Sequence, residues 1–307
     1  MNWPTACNHS LKFVPMIERQ FPEYMQEIKG IAQGSGTSVE DILALNVRTE
    51  IAYGMFSDGC TAFSWASEGE YFLAQNWDWE PEQAPNLISL HINQSQHGKP
   101  NIHMITEAGI IGKIGLNSNG VGVTLNAIKA AGVDFNKLPC HLALRTVLES
   151  SSRAGAIAKL ENIGVSSSCH ILVADETGAT GLECSSRDII KLNVADSVES
   201  RKDVITHSNH FVHQHDGIDS VEYLPDSKPR LERVRELLAQ SGPKPTAEII
   251  EGILKDESGY PGSICRDAIE QYASASLFGI IMNLRQKKAK VLIGRPVNPT
   301  ETIELAH

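Results

Sequence analysis

Residues 58–66, DGCTAFSWA, place a Gly–Cys pair directly before an apolar run that is typical of a β-strand. A second run of the same character, YFLAQNWDW, follows at residues 71–79, and the polar residues between the two favour a tight turn. The pair therefore stands at the start of a predicted strand. Cys60 is either a small buried hydrophobe, as most isolated cysteines are, or a reacting group.

Helical and strand-like patterns alternate in blocks along the rest of the chain. Two helices are predicted before the Gly–Cys pair, and Thr37 with Glu40 fits a capping box at the start of the second. The order suits a single α+β layered domain, residues 1–307, with antiparallel sheets. Helices are predicted at residues 21–36, 36–54, 141–152, 153–164, 228–242 and 246–258, and further strands at 86–92, 101–128, 169–193 and 203–212, with a final hairpin at 276–296.

Composition and charge exclude several classes of function. The 307 residues carry a formal net charge of −10, whereas a nucleic-acid-binding protein needs a basic face and an anionic membrane attracts basic segments. No uninterrupted apolar run reaches the ~18 residues of a membrane helix. The first residues, MNWPTACNHS, lack the features of a secretory signal, and the last, IELAH, give no clear peroxisomal address. A cytoplasmic protein is expected.

The six cysteines are scattered and never form a C-x-x-C pair. In an intracellular chain of this size, that spacing favours reduced thiols over a disulfide framework or a zinc site. Another cluster, HSNHFVHQH at residues 207–215, contains four histidines. A strand running into a loop would put His207 and His213 on one face and turn His210 away, so no metal site is predicted.

The Gly59–Cys60 pair allows a specific reaction. A glycine carbonyl is open to close approach, so the thiolate of the next residue can attack it and shift the acyl group from nitrogen to sulfur. Hydrolysis of that ester would cut the chain and free the α-amino group of Cys60. Its reference pKa is about 7.7–8, which lets it serve as the base for its own thiol. From the dipeptide alone, both the structural and the catalytic interpretation stay open.

Longer landmarks favour the catalytic interpretation. From about Phe21 to about Pro299, the chain resembles the acyl-coenzyme A:isopenicillin N acyltransferase family, peptidase family C45 of the N-terminal-nucleophile (Ntn) hydrolase superfamily. This resemblance implies a four-layer αββα sandwich with antiparallel sheets, cut into residues 1–59 and 60–307 that remain together as a heterodimer. The landmarks are FPEYMQEIKGIA, LNVRTEIAYG, DGCTAF, AQNWDW, TEAGIIGKIG, HSNH, LPDS, SICR and GRPVNP.

The resemblance also implies roles for the residues around the cut. Cys60 matches the nucleophile, exposed when the bond after Gly59 is cleaved. Asp78 matches the acidic residue that orients the Cys60 amine or assists its proton transfers. Without the resemblance, an aspartate between two tryptophans would be interpreted as a turn residue.

Further matches lie farther along the chain. Asn126 stands where superfamily members place an oxyanion-hole amide, and Asn209 matches a polar residue of the catalytic pocket. Arg266 matches the active-site arginine. Ser168 and Ser263 match serines associated with processing and acyl transfer. Taken alone, these asparagines would be turn residues and the arginine a surface ion-pair partner.

Two features depart from the family. The region before Phe21 does not match, because family members carry a longer segment there. Gln75, three residues before Asp78, stands where hydrolytic relatives in the wider superfamily use arginine.

The leading hypothesis is a self-cleaving cysteine N-acyltransferase. It would move an acyl group from a coenzyme A thioester, acting as co-substrate, to an amine such as a β-lactam nucleus or another intermediate of secondary metabolism. No bound cofactor, nucleic acid or membrane partner is expected. Two alternatives remain at this point, an amidohydrolase on the same scaffold and a paralogue that folds without catalysis.

Overall fold

The computed structural model describes residues 1–51, 59–194, 201–219, 224–270 and 272–307. The end of the second predicted helix, residues 52–54, lies outside these. The helices are α1 Trp3–Ser10, α2 Val14–Gln20, α3 Pro22–Ser35, α4 Val39–Asn46, α5 Arg48–Ile51, α6 Cys140–Leu148, α7 Arg153–Ile163, α8 Ser227–Gln240 and α9 Ala247–Leu254.

The strands form two antiparallel sheets. The first sheet has the order β10-β1-β2-β11-β12-β13, and the second runs β3 to β9 in chain order. The strands are β1 Gly59–Ser67, β2 Glu70–Trp79, β3 Leu87–Ile92, β4 Ile102–Glu107, β5 Ile114–Asn117, β6 Gly122–Ala127, β7 Cys169–Asp175, β8 Gly178–Cys184, β9 Ile189–Asn193, β10 Val204–His207, β11 Ala275–Asn283, β12 Lys288–Ile293 and β13 Glu301–Ala306.

Three apolar cores separate four layers. The first core packs the N-terminal helices, α6 and α7 on the second sheet, and includes Ile28 and Val123. The next lies between the sheets, with Leu73 and Leu172 as members. The last packs α8 and α9 on the outer face of the first sheet. The predicted α+β fold, a four-layer αββα sandwich with antiparallel sheets, is confirmed.

Most predicted elements are present, with local differences. Helix α3 ends at Gly36, whose φ of 70° is the left-handed conformation that glycine adopts freely. The predicted capping box is wrong by one residue, because the cap is Ser38. Its hydroxyl accepts the Asp41 N–H at 3.1 Å, and the Asp41 carboxylate accepts the Ser38 N–H at 3.1 Å.

The strand predicted at residues 203–212 is also shorter in the structure. Strand β10 ends at His207 because the next side chain turns to helix α8, where the Ser208 hydroxyl donates to the Ser227 carbonyl at 2.9 Å. Elements α1, α2 and β13 were not predicted. Within the described ranges, none of the helices combines the length and apolar character that crossing a bilayer requires.

Gln75 joins the two sheets through the core between them. Strand β5 pairs with β6 only at Gly122 and Val123, which leaves the backbone of Leu125 without a partner strand on that side. The Gln75 amide supplies both partners, donating to the Leu125 carbonyl and accepting its N–H at 3.1 Å. Gln75 therefore stabilises the contact between the two sheets.

Replacing Gln75 with leucine should destabilise the fold. The Gln75→Leu change keeps the volume but leaves a buried N–H and a buried carbonyl of Leu125 unpaired, so the expected loss is roughly 2–4 kcal/mol. Urea unfolding followed by tryptophan fluorescence measures it. The control is Gln96→Leu at an exposed position, and an equal effect of the two changes would show that Gln75 does not couple the sheets.

Candidate active site

Cys60 is the second residue of strand β1 and is buried, with 1% of its surface exposed. Its N–H donates to Asn209 Oδ1 at 2.9 Å, and its carbonyl accepts from Arg230 Nη1 at 2.7 Å. Across the ladder it pairs with Trp77, and both belong to the core between the sheets. Polar side chains therefore bind both the backbone N–H and the backbone carbonyl of Cys60.

The antiparallel register sets Gly59 directly opposite Asp78. A Cβ on Gly59 would come within 2.7 Å of Asp78 Oδ2 and 3.0 Å of Arg266 Nη1, so only glycine fits. Asp78 Oδ1 accepts a 2.6 Å hydrogen bond from Ser276, whereas Oδ2 has no hydrogen-bond partner among the described residues. Burial raises the pKa of Asp78, and the charges of Arg230 and Arg266 offset this only in part.

The side-chain amide of Asn209 has a fixed orientation. Its Oδ1 accepts from Cys60 N–H and, at 2.8 Å, from Arg230 Nη2, while its Nδ2 donates to the Ala127 carbonyl at 3.1 Å. Its own N–H donates to Ser227 Oγ at 2.8 Å. The oxygen of Asn209 must therefore face the nitrogen of Cys60.

One carboxylate holds two buried arginines beside this site. Asp226 accepts from Arg230 Nε at 2.7 Å and from both terminal nitrogens of Arg266. Burial opposes ionisation of Asp226, but the two guanidinium groups outweigh it and lower the pKa of that carboxyl. Arg230 also donates to Thr61 Oγ1 at 2.9 Å. The guanidinium of predicted Arg266 thus lies beside Gly59, and Asp226 ties it to Arg230, which binds the Cys60 carbonyl.

Arg230 and Asp226 were missed by the sequence analysis, although Asp226 lies in the quoted landmark LPDS. A signal was available in α8. Arg230 stands beside Leu231 and one turn before Val234, on the apolar face of an amphipathic helix. An arginine on such a face must find a charged partner, and Asp226 precedes it by the four residues that bring two side chains together.

Asn126 lies in β6, one residue before the carbonyl that Asn209 contacts. It is fully buried. Its Oδ1 lies 3.0 Å from His170 Nδ1, and its Nδ2 donates to the His207 carbonyl across a long 3.4 Å contact. The structure therefore brings Asn126 to the floor of the same site.

The two predicted serines are buried but differ in their contacts. Ser168 precedes β7, and its hydroxyl has no hydrogen-bond partner among the described residues. The hydroxyl of Ser263 donates to the Cys265 carbonyl at 2.7 Å, which closes the turn that leads to Arg266. Ser263 therefore supports the arginine through the backbone.

The histidine-rich segment surrounds a carboxylate. His207 Nε2 lies 2.9 Å from Glu183 Oε1, His213 Nδ1 lies 3.2 Å from Oε2, and His215 Nε2 lies 3.8 Å from the same oxygen. The predicted shared strand face of His207 and His213 is wrong, because the strand has ended and a loop carries His213 back. These imidazoles pair with an anion beside the site.

Comparison with known proteins identifies related sequences. Residues 65–298 match the family model described as acyl-coenzyme A:6-aminopenicillanic acid acyl-transferase. The chain is 41% identical over 292 residues to the 40 kDa form of acyl-coenzyme A:6-aminopenicillanic-acid-acyltransferase from Emericella nidulans, covering 94% of this chain and 79% of that protein.

Two solved structures share the fold. Penicillin V acylase from Agrobacterium tumefaciens superposes with a TM-score of 0.53 at 13% identity, over 80% of this chain and 86% of that one. A variant of conjugated bile acid hydrolase from Clostridium perfringens gives a TM-score of 0.53 at 12% identity, over 80% and 92%. At these identities, the likeness concerns architecture alone.

Removing the charge of Asp226 should destabilise the folded chain. The Asp226→Asn change leaves two buried guanidinium groups without their anion, which should cost roughly 3–5 kcal/mol at neutral pH. The folded pKa is lowered, so the stabilisation is fully present above the unfolded value, near 3.9, and is lost as pH falls through the folded value. Wild type and variant should therefore converge in acid.

Urea unfolding from about pH 7 down to about pH 2 measures this difference, because the loss is expected below the unfolded pKa of about 3.9. The exposed Asp216→Asn change is the control and should leave stability unaltered. A difference between wild type and Asp226→Asn that stays constant over the whole range would contradict an electrostatic role for Asp226.

Proposed function

The chain belongs to the acyl-coenzyme A:6-aminopenicillanic acid acyl-transferase family, and on that premise we propose that it is a self-processing cysteine N-acyltransferase. Its donor is a coenzyme A thioester, its acceptor is a small-molecule amine, and its product is an amide. The amine of 6-aminopenicillanic acid, which the 41% identical relative takes by its name, is the first acceptor to consider.

The placement of the Cys60 backbone is the observation that carries this proposal. Its nitrogen is 2.9 Å from Asn209 Oδ1 and its carbonyl 2.7 Å from Arg230, although both partners come from distant parts of the chain. Buried backbone groups need partners in any strand, but β10 pairs with β1 only from Ala62 onward, so at Cys60 two polar side chains take the place of a neighbouring strand. The arrangement suits a residue whose nitrogen becomes a free amine, because Asn209 can accept a hydrogen from an amide or an amine alike.

In the processing step, Cys60 Sγ attacks the Gly59 carbonyl carbon and the Gly59–Cys60 C–N bond breaks. The acyl group now lies on sulfur, and the Cys60 nitrogen takes the proton that the thiol lost. Water then hydrolyses the thioester, which leaves a Gly59 carboxylate, a free thiol and the new α-amino group. The contact of Gly59 with Asp78 brings a carboxylate to the place where that amine appears.

The remaining residues have supporting roles in this scheme. Asp78 is proposed to orient the new amine, since departure of Gly59 would leave space next to Asp78 Oδ2. Asn126 is proposed as an oxyanion donor, because among the described residues its Nδ2 is engaged only by a 3.4 Å contact with the His207 carbonyl. Arg266 acts as the charge partner that, through Asp226, holds the site together. Ser168 remains a proposed processing residue on account of its buried hydroxyl.

In the transfer step, the Cys60 thiolate attacks the carbonyl carbon of the acyl-coenzyme A and coenzyme A leaves as its thiol after taking a proton. The acceptor amine then attacks the thioester on Cys60. An amide forms, the C–S bond breaks and the thiol is restored. Because one thioester replaces another, acylation is nearly balanced in energy, and the outcome depends on excluding water until the amine arrives.

We also propose that residues 1–59 and 60–307 remain associated after the cut. The first core buries side chains of the small fragment, such as Phe13 and Ile28, against the second sheet. Polar contacts add to it, for Asn46 Oδ1 accepts the Ile111 N–H at 2.9 Å and buried Glu50 accepts the Cys140 N–H at 2.8 Å.

Intact mass spectrometry tests the nucleophile first. Wild-type protein should give two fragments, residues 1–59 and 60–307, that elute together in native size exclusion. Cys60→Ala should give one uncut chain, while Cys7→Ala, which changes a half-buried thiol far from the site, should cut normally. A single uncut chain from wild type would contradict self-processing.

Product analysis then separates transfer from hydrolysis. The processed protein, given acetyl-, hexanoyl- or phenylacetyl-coenzyme A with 6-aminopenicillanic acid, should yield an amide whose rate depends on the amine. Cys60→Ala should yield none. Release of free acid at a rate independent of the amine would show that water resolves the acyl-enzyme and would contradict transfer. Cleavage of the amide product, when it is supplied as the substrate, would identify an amidohydrolase.

A further inference from the structure

Three histidines meet at one end of the molecule, away from Cys60. They are His91 in β3, His103 in β4 and His307, which follows β13. One ring nitrogen of each lies within 4.8 Å of those of the other two. No sequence pattern links these three histidines, because they are far apart in the chain.

The order of the strands explains why these three histidines lie close together. His91 and His103 are direct partners in the antiparallel β3–β4 ladder, so their side chains share one face, and their rings stack with centroids 4.2 Å apart. His307 comes from the other sheet, because β13 is the last strand of the first one. Its ring centroid lies 4.3 Å from that of His103. The cluster therefore bridges the edges of both sheets.

Backbone carbonyls orient two of the rings. His103 Nε2 lies 3.2 Å from the Ala306 carbonyl, and His307 Nε2 lies 3.3 Å from the Leu116 carbonyl. Each Nε2 therefore carries the hydrogen and donates it, which leaves the lone pair on Nδ1. This is the usual surrounding of a metal-binding imidazole, in which the second nitrogen donates to a carbonyl.

We propose that His91, His103 and His307 bind one Zn²⁺, with water as the fourth ligand, and that the ion joins the two sheets at this edge. Three imidazoles suit Zn²⁺, whereas Mg²⁺ and Ca²⁺ prefer oxygen ligands. With Zn–N bonds of about 2.0–2.1 Å, the ligand nitrogens would be about 3.4 Å apart. The exposed side chain of His91 can rotate to make up the difference.

The ion would act as a clamp between the sheets. Strand β13 pairs only with β12 and forms the edge of its sheet, and β3 forms an edge of the other. A bond from His307 to the ion held by His91 and His103 fixes these edges to each other. Because the three nitrogens converge only in the folded chain, binding must also raise the midpoint of thermal unfolding.

Equilibrium dialysis of the whole protein against ZnCl₂ tests the site, with bound zinc counted by elemental analysis. His91→Ala should bind one zinc per chain fewer than wild type, or bind it more than about tenfold more weakly. The matched control His97→Ala removes an exposed imidazole outside the cluster and should bind as wild type does. Equal binding by wild type and His91→Ala would overturn the site.

Thermal unfolding with and without zinc tests the clamp. Zinc should raise the midpoint of wild type and His97→Ala, and MgCl₂ should not. His307→Ala, which removes the only ligand from the first sheet, should lose the zinc-dependent rise while folding normally without metal. A zinc-dependent rise that persists in His307→Ala would overturn the bridging role, since the ion would then act within one sheet.

Discussion

The site depends on the charge of Asp226. This carboxylate is the shared partner of two guanidinium groups, Arg230 and Arg266, that are almost completely buried. An unpaired cation in such surroundings would cost several kcal/mol, so neither arginine could stay without it. Arg230 in turn fixes the Cys60 carbonyl and the Asn209 oxygen. One anion at the start of α8 thus sets the geometry around the Cys60 backbone in another layer.

The hairpin register is the second constraint. Because β1 and β2 pair with Gly59 opposite Asp78, the peptide bond before Cys60 lies beside a buried carboxylate without any loop to position it. A slip of one residue would turn Asp78 to the opposite face and place Trp77 or Trp79 against Gly59. The absence of a Cβ at Gly59 is required by this contact, so the same glycine serves the packing of the precursor and the proposed cut.

Features that depend on residues close together in the chain could be predicted from the sequence, whereas contacts between distant residues could not. Strand β1, helix α3 and its Gly36 end are local patterns, and they were predicted correctly. The cap at Ser38 was misplaced because two adjacent hydroxyls compete for it. The partners of Cys60 come from α8 and from the loop after β10, and no local pattern links them. The resemblance supplied Asn209 and Arg266. The position of Arg230 on the apolar face of α8 signals a buried arginine, but only the packing of that helix on the sheet shows that it contacts Cys60.

The layered architecture also explains how a chain could be cut at its active site and keep its fold. Cys60 is the second residue of β1, so breaking the bond before it removes only the Gly59–Asp78 pair from the β1–β2 ladder. The segment on the other side is anchored elsewhere, through the first core and through Glu50, whose carboxylate reaches Cys140 and Ser167 on the second sheet side. Burial raises the pKa of Glu50, and the hydrogen bonds from Cys140 and Ser167 oppose this. A cut at this bond would therefore leave the segment before it anchored through the first core and through Glu50.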